Sequence, residues 1–231
     1  GSAQALAWGS SYYLPAVLAT PMARDLGVTA PTVFAAFSAA LVISGLIGPA
    51  VGRTIDRVGG RSMLMLTNGI FAASLVALAA AQGVVSLFAA WALMGIAMGA
   101  GLYESAFATL VRLYGSDSRD AITGITLIAG FASTIAWPLS SALDAHAGWR
   151  VACIAWAALH LLVALPLNAS VPRVADAVPS APANAPVHAV TAGTPDPHGA
   201  TRADTLTAAL LGYVFAATWF VATAMAAHLP R

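Results

Sequence analysis

Residues 48–61 read GPAVGRTIDRVGGR, a short charged segment between two long apolar ones. Four charges fall within nine residues of it: Arg53, Asp56, Arg57 and Arg61. The flanking stretches, residues 31–51 and 63–81, carry no charge at all. Because about 20 apolar residues cross the hydrocarbon core of a bilayer, the pattern predicts a tight loop joining two membrane spans.

Small residues precede this loop at a regular spacing. Ser44, Gly48 and Gly52 recur every four residues, and this spacing lets one helix backbone lie close to another in lipid. We therefore expect the loop to be docked against a neighbouring helix.

The pattern Gly52-x-x-x-Asp56-Arg57-x-Gly59-Gly60-Arg61 resembles the signature loop between helices 2 and 3 of the major facilitator superfamily of secondary transporters. It matches at the glycines, the aspartate and the flanking basic residues, and departs at Gly60, where the family more often has a basic residue. The resemblance implies an all-α membrane transporter in which one six-helix bundle rocks against another, with the substrate bound between them near the bilayer midplane.

Composition independently indicates a polytopic membrane protein. The chain has 231 residues, of which 59% are hydrophobic and 8% charged, whereas soluble domains carry about 25% charged residues. A net charge of +1 without a long basic run argues against nucleic-acid binding. Cys153 is the only cysteine, so no intrachain disulfide is possible, and we expect it to be a buried packing residue.

Six apolar segments precede residue 168 and predict a six-helix transmembrane bundle. They cover residues 3–23, which Pro15 and Pro21 interrupt, and then 31–51, 62–82, 86–113, 121–143 and 149–167. Their short connections predict antiparallel neighbours.

The composition changes after this bundle, and we divide the chain accordingly. Residues 1–168 form the bundle, and residues 169–204, rich in Pro and Ala, predict a disordered linker. Residues 205–231 predict transmembrane helix 7, the start of a truncated C-terminal bundle. We therefore expect the chain to be a fragment.

The arginines predict an orientation in the cell (inner) membrane of a bacterium. One side of the bundle holds three, Arg24, Arg150 and Arg231, and the side of the charged loop holds the other seven. Positive loops stay in the cytoplasm, so the amino terminus and the linker should be cytoplasmic.

Glu104 is the only acidic residue well inside a predicted span. An ionised carboxylate at the centre of a membrane helix costs about 2.5 kcal/mol or more, so it should face a cavity or a partner. It is a candidate for substrate binding or proton coupling. Alternatively, it lies near the cytoplasmic end and reaches water or Arg112.

Aromatic residues supply the other candidates for substrate contact. Tyr12 and Tyr13 lie on helix 1 beside Pro15, and Trp137 lies on helix 5. The resemblance implies that helices 1, 4 and 7 line the central pathway. Anchoring at the membrane interface is the competing explanation. His160, on helix 6, is expected to be a core histidine with satisfied hydrogen bonds.

Helix 5 has a proline in mid-span. Pro138 removes one helical hydrogen bond and predicts a kink, which serves either gating or packing. On helix 4, Gly95, Gly99 and Gly101 indicate either close helix packing or a narrow cavity wall, and packing is the simpler interpretation.

The resemblance implies that the charged loop is a cytoplasmic gate that locks the two bundles together. Its residues are Gly48, Gly52, Arg53, Asp56, Arg57, Gly59 and Arg61. The alternative is that the arginines only hold the loop inside the cell; both roles are compatible.

We therefore interpret the chain as part of a permease for a small organic solute that is monomeric when full length. Coupling to a proton or a counter-solute is left open, because Trp91 stands where many proton-coupled members of the superfamily have an arginine. Neither an enzyme activity, a metal nor a cofactor is expected. The alternative is a seven-span sensor that transports nothing; a retinal protein is excluded because the chain has no lysine.

Overall fold

The computed structural model describes residues 1–172 and, beyond them, only Leu210, Val214 and Thr218, which are helical. Most of the predicted linker and of the predicted seventh span therefore lies outside the described residues.

Residues 1–172 are helical and contain no strand. Their α-helices are α1 Ser2–Ser10, α2 Leu14–Asp25, α3 Ala30–Val58, α4 Gly60–Ala79, α5 Val84–Gly101, α6 Tyr103–Tyr114, α7 Ser118–Ala129, α8 Ala132–Ala147, α9 Trp149–Leu159 and α10 Leu165–Ala169. A 3₁₀ turn at Gly115–Asp117 precedes α7, and a π-helical segment, His160–Ala164, joins α9 to α10.

These helices follow the six apolar segments of the sequence in order, and the predicted all-α membrane fold is confirmed. Five helical stretches in residues 1–172 are long and apolar enough to cross a membrane. They are α3, α4, α5 with α6, α7 with α8, and α9 with α10. The first span is not among these five because it is split into α1 and α2, of nine and twelve residues.

The spans alternate in direction, so the bundle has two ends. We call the end at Gly59 the motif end and the end at Asp25 the far end. Inside the bundle, α5 packs against α3 and α4, while α9 packs against α4 and α8. The two halves of the first span contact α8.

Two glycines bring α5 against α3. A Cβ atom added at Gly95 would collide with the backbone of Ala40, and one at Gly99 would lie 2.7 Å from the carbonyl oxygen of Ser44. The packing interpretation of these glycines is therefore confirmed. The expected docking through Gly48 and Gly52 is not seen, because a Cβ at either would meet no described atom within 4 Å.

The predicted loop at residues 48–61 is wrong in extent. Helix α3 continues through Val58 and α4 begins at Gly60, so Gly59 alone connects them. Gly59 has φ 85°, in the left-handed region that glycine adopts at little cost. The charged residues before it favour helix as well as loop, since arginine is a good helix former.

A polar cluster ties three spans together at the far end. The Arg150 guanidinium lies 2.8 Å from a carboxylate oxygen of Asp25 and also donates to the carbonyl of Ala79. The Trp149 indole donates to the same Asp25 oxygen at 3.2 Å. The first, third and sixth spans are thereby held at one point.

Candidate functional site

The break in the first span places two tyrosines at its middle. Pro15 has no N–H to donate to the Ser11 carbonyl, so α1 cannot continue through it. A new helix, α2, begins at Leu14 with Pro15 in its first turn. The Ser11 hydroxyl donates to the carbonyl of Ala7 at 2.6 Å, which satisfies an acceptor at the end of α1. Pro21 does not interrupt α2, so only one of the two expected interruptions occurs.

A second break divides the fourth span and was not predicted. Leu102 has an extended backbone, with ψ −161°. The side-chain amide of Gln4, on α1, donates to the Gly101 carbonyl at 2.9 Å and so pairs the acceptor at the end of α5. Gly101 packs closely against Phe71 and Thr67. A Cβ atom added at Gly101 would lie 2.8 Å from the Phe71 side chain and 2.9 Å from that of Thr67.

This second break determines the surroundings of Glu104. The residue lies in the first turn of α6, where the partial positive charge of a helix N-terminus stabilises a carboxylate. At about 1.5 Å per residue, it lies about 15 Å from the motif end of α6. Its side chain is exposed and has no hydrogen-bond or ion-pair partner among the described residues. The alternative pairing with Arg112 is not seen.

Aromatic rings connect the two breaks. Trp8 lies 4.8 Å from Tyr103 and 5.2 Å from Tyr12 between ring centroids, and Tyr13 lies 6.0 Å from Trp137. Tyr103 stacks on Phe107 at 5.2 Å, with the ring planes 9° apart.

Four of these aromatic side chains are partly exposed, and we call them the aromatic face: Tyr13, Tyr103, Phe107 and Trp137. Tyr12 is different, because it is 8% exposed and packs edge-on against Phe37. Tyr13 is thus accessible to a ligand. Tyr12 instead packs edge-on against Tyr13, with the two ring centroids 5.4 Å apart.

The fifth span is interrupted at Gly130 and Phe131, several residues before Pro138. Pro138 lies inside α8, which is continuous from Ala132 to Ala147. The kink at Pro138 stays a prediction.

Charged side chains of the sequence motif lie at the motif end of α3. Arg53, Asp56 and Arg57 are exposed and Arg61, in the first turn of α4, is half-exposed. None of the four has an ion-pair partner among the described residues. The structure thus brings the motif together at one end of the bundle, about 15 Å along α6 from Glu104.

Arg112 makes the cross-helix contact at this end. Its guanidinium donates to the carbonyls of Ile55 (3.0 Å) and Asp56, in the last turn of α3. A cation is favourable at a helix C-terminus because the unpaired carbonyls carry partial negative charge.

His160 is a satisfied core histidine, as predicted. It is fully buried and stacks on Phe71 with ring centroids 4.7 Å apart. Asn68 donates its amide to Leu64, so its oxygen accepts from Nδ1 of His160 at 2.9 Å, and the Ser10 hydroxyl then donates to Nε2 at 2.7 Å. The break in the first span is thereby fixed to the third and sixth spans.

Sequence reasoning missed the contributions of Gln4, Tyr103 and Phe107, and it did not predict the contact of Arg112 with the end of α3. Tyr103 and Phe107 carried a usable signal, because they are four residues apart on one helix and Phe107 follows Glu104 by three. Gln4 carried none, since its partner is a main-chain carbonyl 97 residues away.

Comparison with known proteins places the chain in a family. The family model described as Major Facilitator Superfamily matches residues 1–231. An uncharacterised 38 kDa protein encoded in the 23S RNA operon of Thermoproteus tenax is 31% identical over 167 residues, which is 71% of this chain and 43% of that protein. The chain thus spans less than half of the curated relative it matches. The match over the whole chain, the helical bundle and the glycine-linked charged motif agree: the chain belongs to the major facilitator superfamily, a family of multi-pass membrane transporters.

Proposed function

We propose that the protein is a secondary transporter that carries a small organic solute across the membrane by alternating access. The observation that supports this most directly is the position of Glu104, an exposed carboxylate without a described partner, beside the aromatic face. Glu104 and Tyr103 directly follow the break in the fourth span, and Tyr13 lies at the break in the first. Discontinuous helices commonly line the substrate sites of transporters.

Energetics favours a site at this position. A carboxylate facing lipid at this depth is costly, whereas one facing a wet cavity is not. The buried side of α6, which packs against the other described helices, carries Ser105, Ala106 and Thr109. Glu104 therefore points away from the bundle, toward the surface where a pathway between two bundles would lie.

We assign the motif a gating role at the cytoplasmic side of a bacterial inner membrane. The excess of arginine at the motif end supports this orientation. The side chains of Arg53, Asp56 and Arg57 are exposed and have no ion-pair partner among the described residues, so they are available to a second bundle. We assign substrate contact to Tyr13, Glu104 and Trp137; contact through Tyr12 requires it to leave its buried position.

The proposal is tested by solute uptake into proteoliposomes that contain the complete gene product. A screen of amines, sugars, carboxylates and aromatic compounds should find at least one transported solute. Glu104→Gln should then lower uptake of that solute about tenfold or more or remove the pH dependence of uptake, because among the described residues Glu104 is the only carboxylate near the aromatic face.

Asp144→Asn is the matched control. Asp144 lies in the last turn of α8 at the far end, so solute uptake by the Asp144→Asn protein should equal that of the parent. Uptake unaltered by Glu104→Gln would remove Glu104 from the site. A complete gene product that moves none of the solutes would contradict the transporter assignment.

A further inference from the structure

We infer that the solute carries a cationic nitrogen, which binds between the Glu104 carboxylate and the aromatic face. This inference rests on the proposed transport function and names the substrate class of the same site.

The first support is the sign of the charge. Glu104 is the only charged side chain described in the middle of the spans, and it is exposed. The arginines among residues 1–172 lie at helix ends, and the nearest to Glu104 along α6, Arg112, is occupied by two carbonyls of α3. The surface therefore attracts cations and, among the described residues, offers an anionic solute no arginine side chain.

The second support is the geometry of the rings beside Glu104. Glu104 and Phe107 are three residues apart on α6, so their side chains emerge on neighbouring positions of one helix surface. The Tyr103 and Phe107 rings stack with their planes 9° apart, and both side chains are partly exposed. A cation within about 6 Å of an aromatic ring centroid is attracted by the quadrupole of the ring.

The third support is that the space beside Glu104 is not filled by a large side chain of its own helix. The residue one turn further along α6 is Ala108, which is partly exposed. Tyr13 and Trp137 extend the aromatic face from the first and fifth spans. A trimethylammonium group paired with Glu104 would thus have π surface on one side and a small residue on the other.

The test is the binding of three probes that share a benzyl ring and differ in charge: benzyltrimethylammonium, benzyl alcohol and phenylacetate. Binding to the purified complete gene product in an uncharged maltoside detergent is followed by tryptophan fluorescence. We expect benzyltrimethylammonium to bind at least about tenfold more tightly than either other probe. Glu104→Gln should reduce this preference to about threefold or less, the part that the rings supply.

Variants of the rings make the assignment specific. Phe107→Leu should weaken ammonium binding about threefold or more and leave benzyl alcohol binding less affected, because only the cation uses the ring quadrupole. The controls are Asp120→Asn, which removes an exposed carboxylate near the motif end, and Phe131→Leu, which shortens an exposed aromatic residue on the fifth span. Both should bind the three probes as the parent does.

Equal affinity for the three probes, no binding of benzyltrimethylammonium, or a preference that is undiminished in Glu104→Gln would overturn the inference. The proposed function is tested separately by uptake. Transport of a neutral or anionic solute without ammonium binding would refute the cation class alone. Glu104-dependent ammonium binding in a protein that transports no solute would refute the transporter assignment alone.

Discussion

At the residue scale, Gly60 shows why this chain departs from the charged pattern of its family. Gly60 is buried at the start of α4, and a Cβ atom added there would collide with the Thr109 side chain of α6. A basic residue at this position would require α4 and α6 to separate. The glycine therefore allows the third and fourth spans to approach closely at the motif end.

Gly60→Ala should consequently lower the free energy of unfolding by about 1–3 kcal/mol, the usual cost of overpacking. The thermal stability of the detergent-solubilised protein measures this. Thr109→Ala in the same chain should restore part of the loss, because it removes two of the three atoms that collide.

Gly69→Ala is the matched control on α4, since a Cβ there meets no described atom within 4 Å. It should be neutral or stabilising, because alanine favours helix by about 1 kcal/mol over glycine. If Gly60→Ala were as well tolerated as Gly69→Ala, the close approach of α4 and α6 would be wrong.

At the scale of elements, the break in the fourth span depends on Gln4. Gln4→Met keeps the length of the side chain but leaves the Gly101 carbonyl buried without its partner, which costs about 1–3 kcal/mol. We expect a lower melting temperature and, because α6 is no longer fixed at its start, weaker solute binding at Glu104. Gln82→Met, at an exposed position, should change neither. A fully stable Gln4→Met protein would mean that the carbonyl has another partner.

The breaks also show what can be read from the sequence of a membrane helix. Pro15 predicts the first break because proline has no N–H and so removes a main-chain hydrogen bond of the helix. The break at Leu102 has no such signal, since it depends on a glycine pressed against α4 and on a donor from α1. The extent of the charged loop was overestimated for a similar reason, because helix propensity within residues 53–58 outweighs the charge of the segment.

At the scale of the whole molecule, apolar segment lengths predicted where the membrane-length helices lie, because the bilayer thickness sets the length of a span. The short connections predicted that successive helices are antiparallel neighbours. The pairing of side chains across spans was not predictable in this way. Glu104 and the tyrosines were chosen as candidates by residue type, and their role stays a prediction. The alternative that Glu104 reaches Arg112 is not seen, because Arg112 binds α3.

The gating proposal is also tested at this scale. Asp56→Asn should shift the balance between inward-open and outward-open states, because it removes the negative charge available to a second bundle. The change is measured as the rate at which a membrane-impermeant thiol reagent, added from the cytoplasmic side, labels Thr123→Cys or Leu127→Cys on α7. Background should be low, since the single native cysteine, Cys153, is fully buried.

Asp120→Asn provides the control, as an exposed carboxylate near the same end of the bundle. Its labelling rates should match those of the parent. Identical rates in the Asp56→Asn protein would show that Asp56 does not take part in the gate.

The contact between Arg112 and α3 has a consequence for how such proteins diverge. Arg112 binds the main-chain oxygens of Ile55 and Asp56, and every amino acid supplies that oxygen. The side chains at positions 55 and 56 are thus free to change during evolution without loss of this contact, provided that the second span still ends at the same place. Statistical covariation between aligned positions would therefore not detect the pair, although it joins two spans of the bundle.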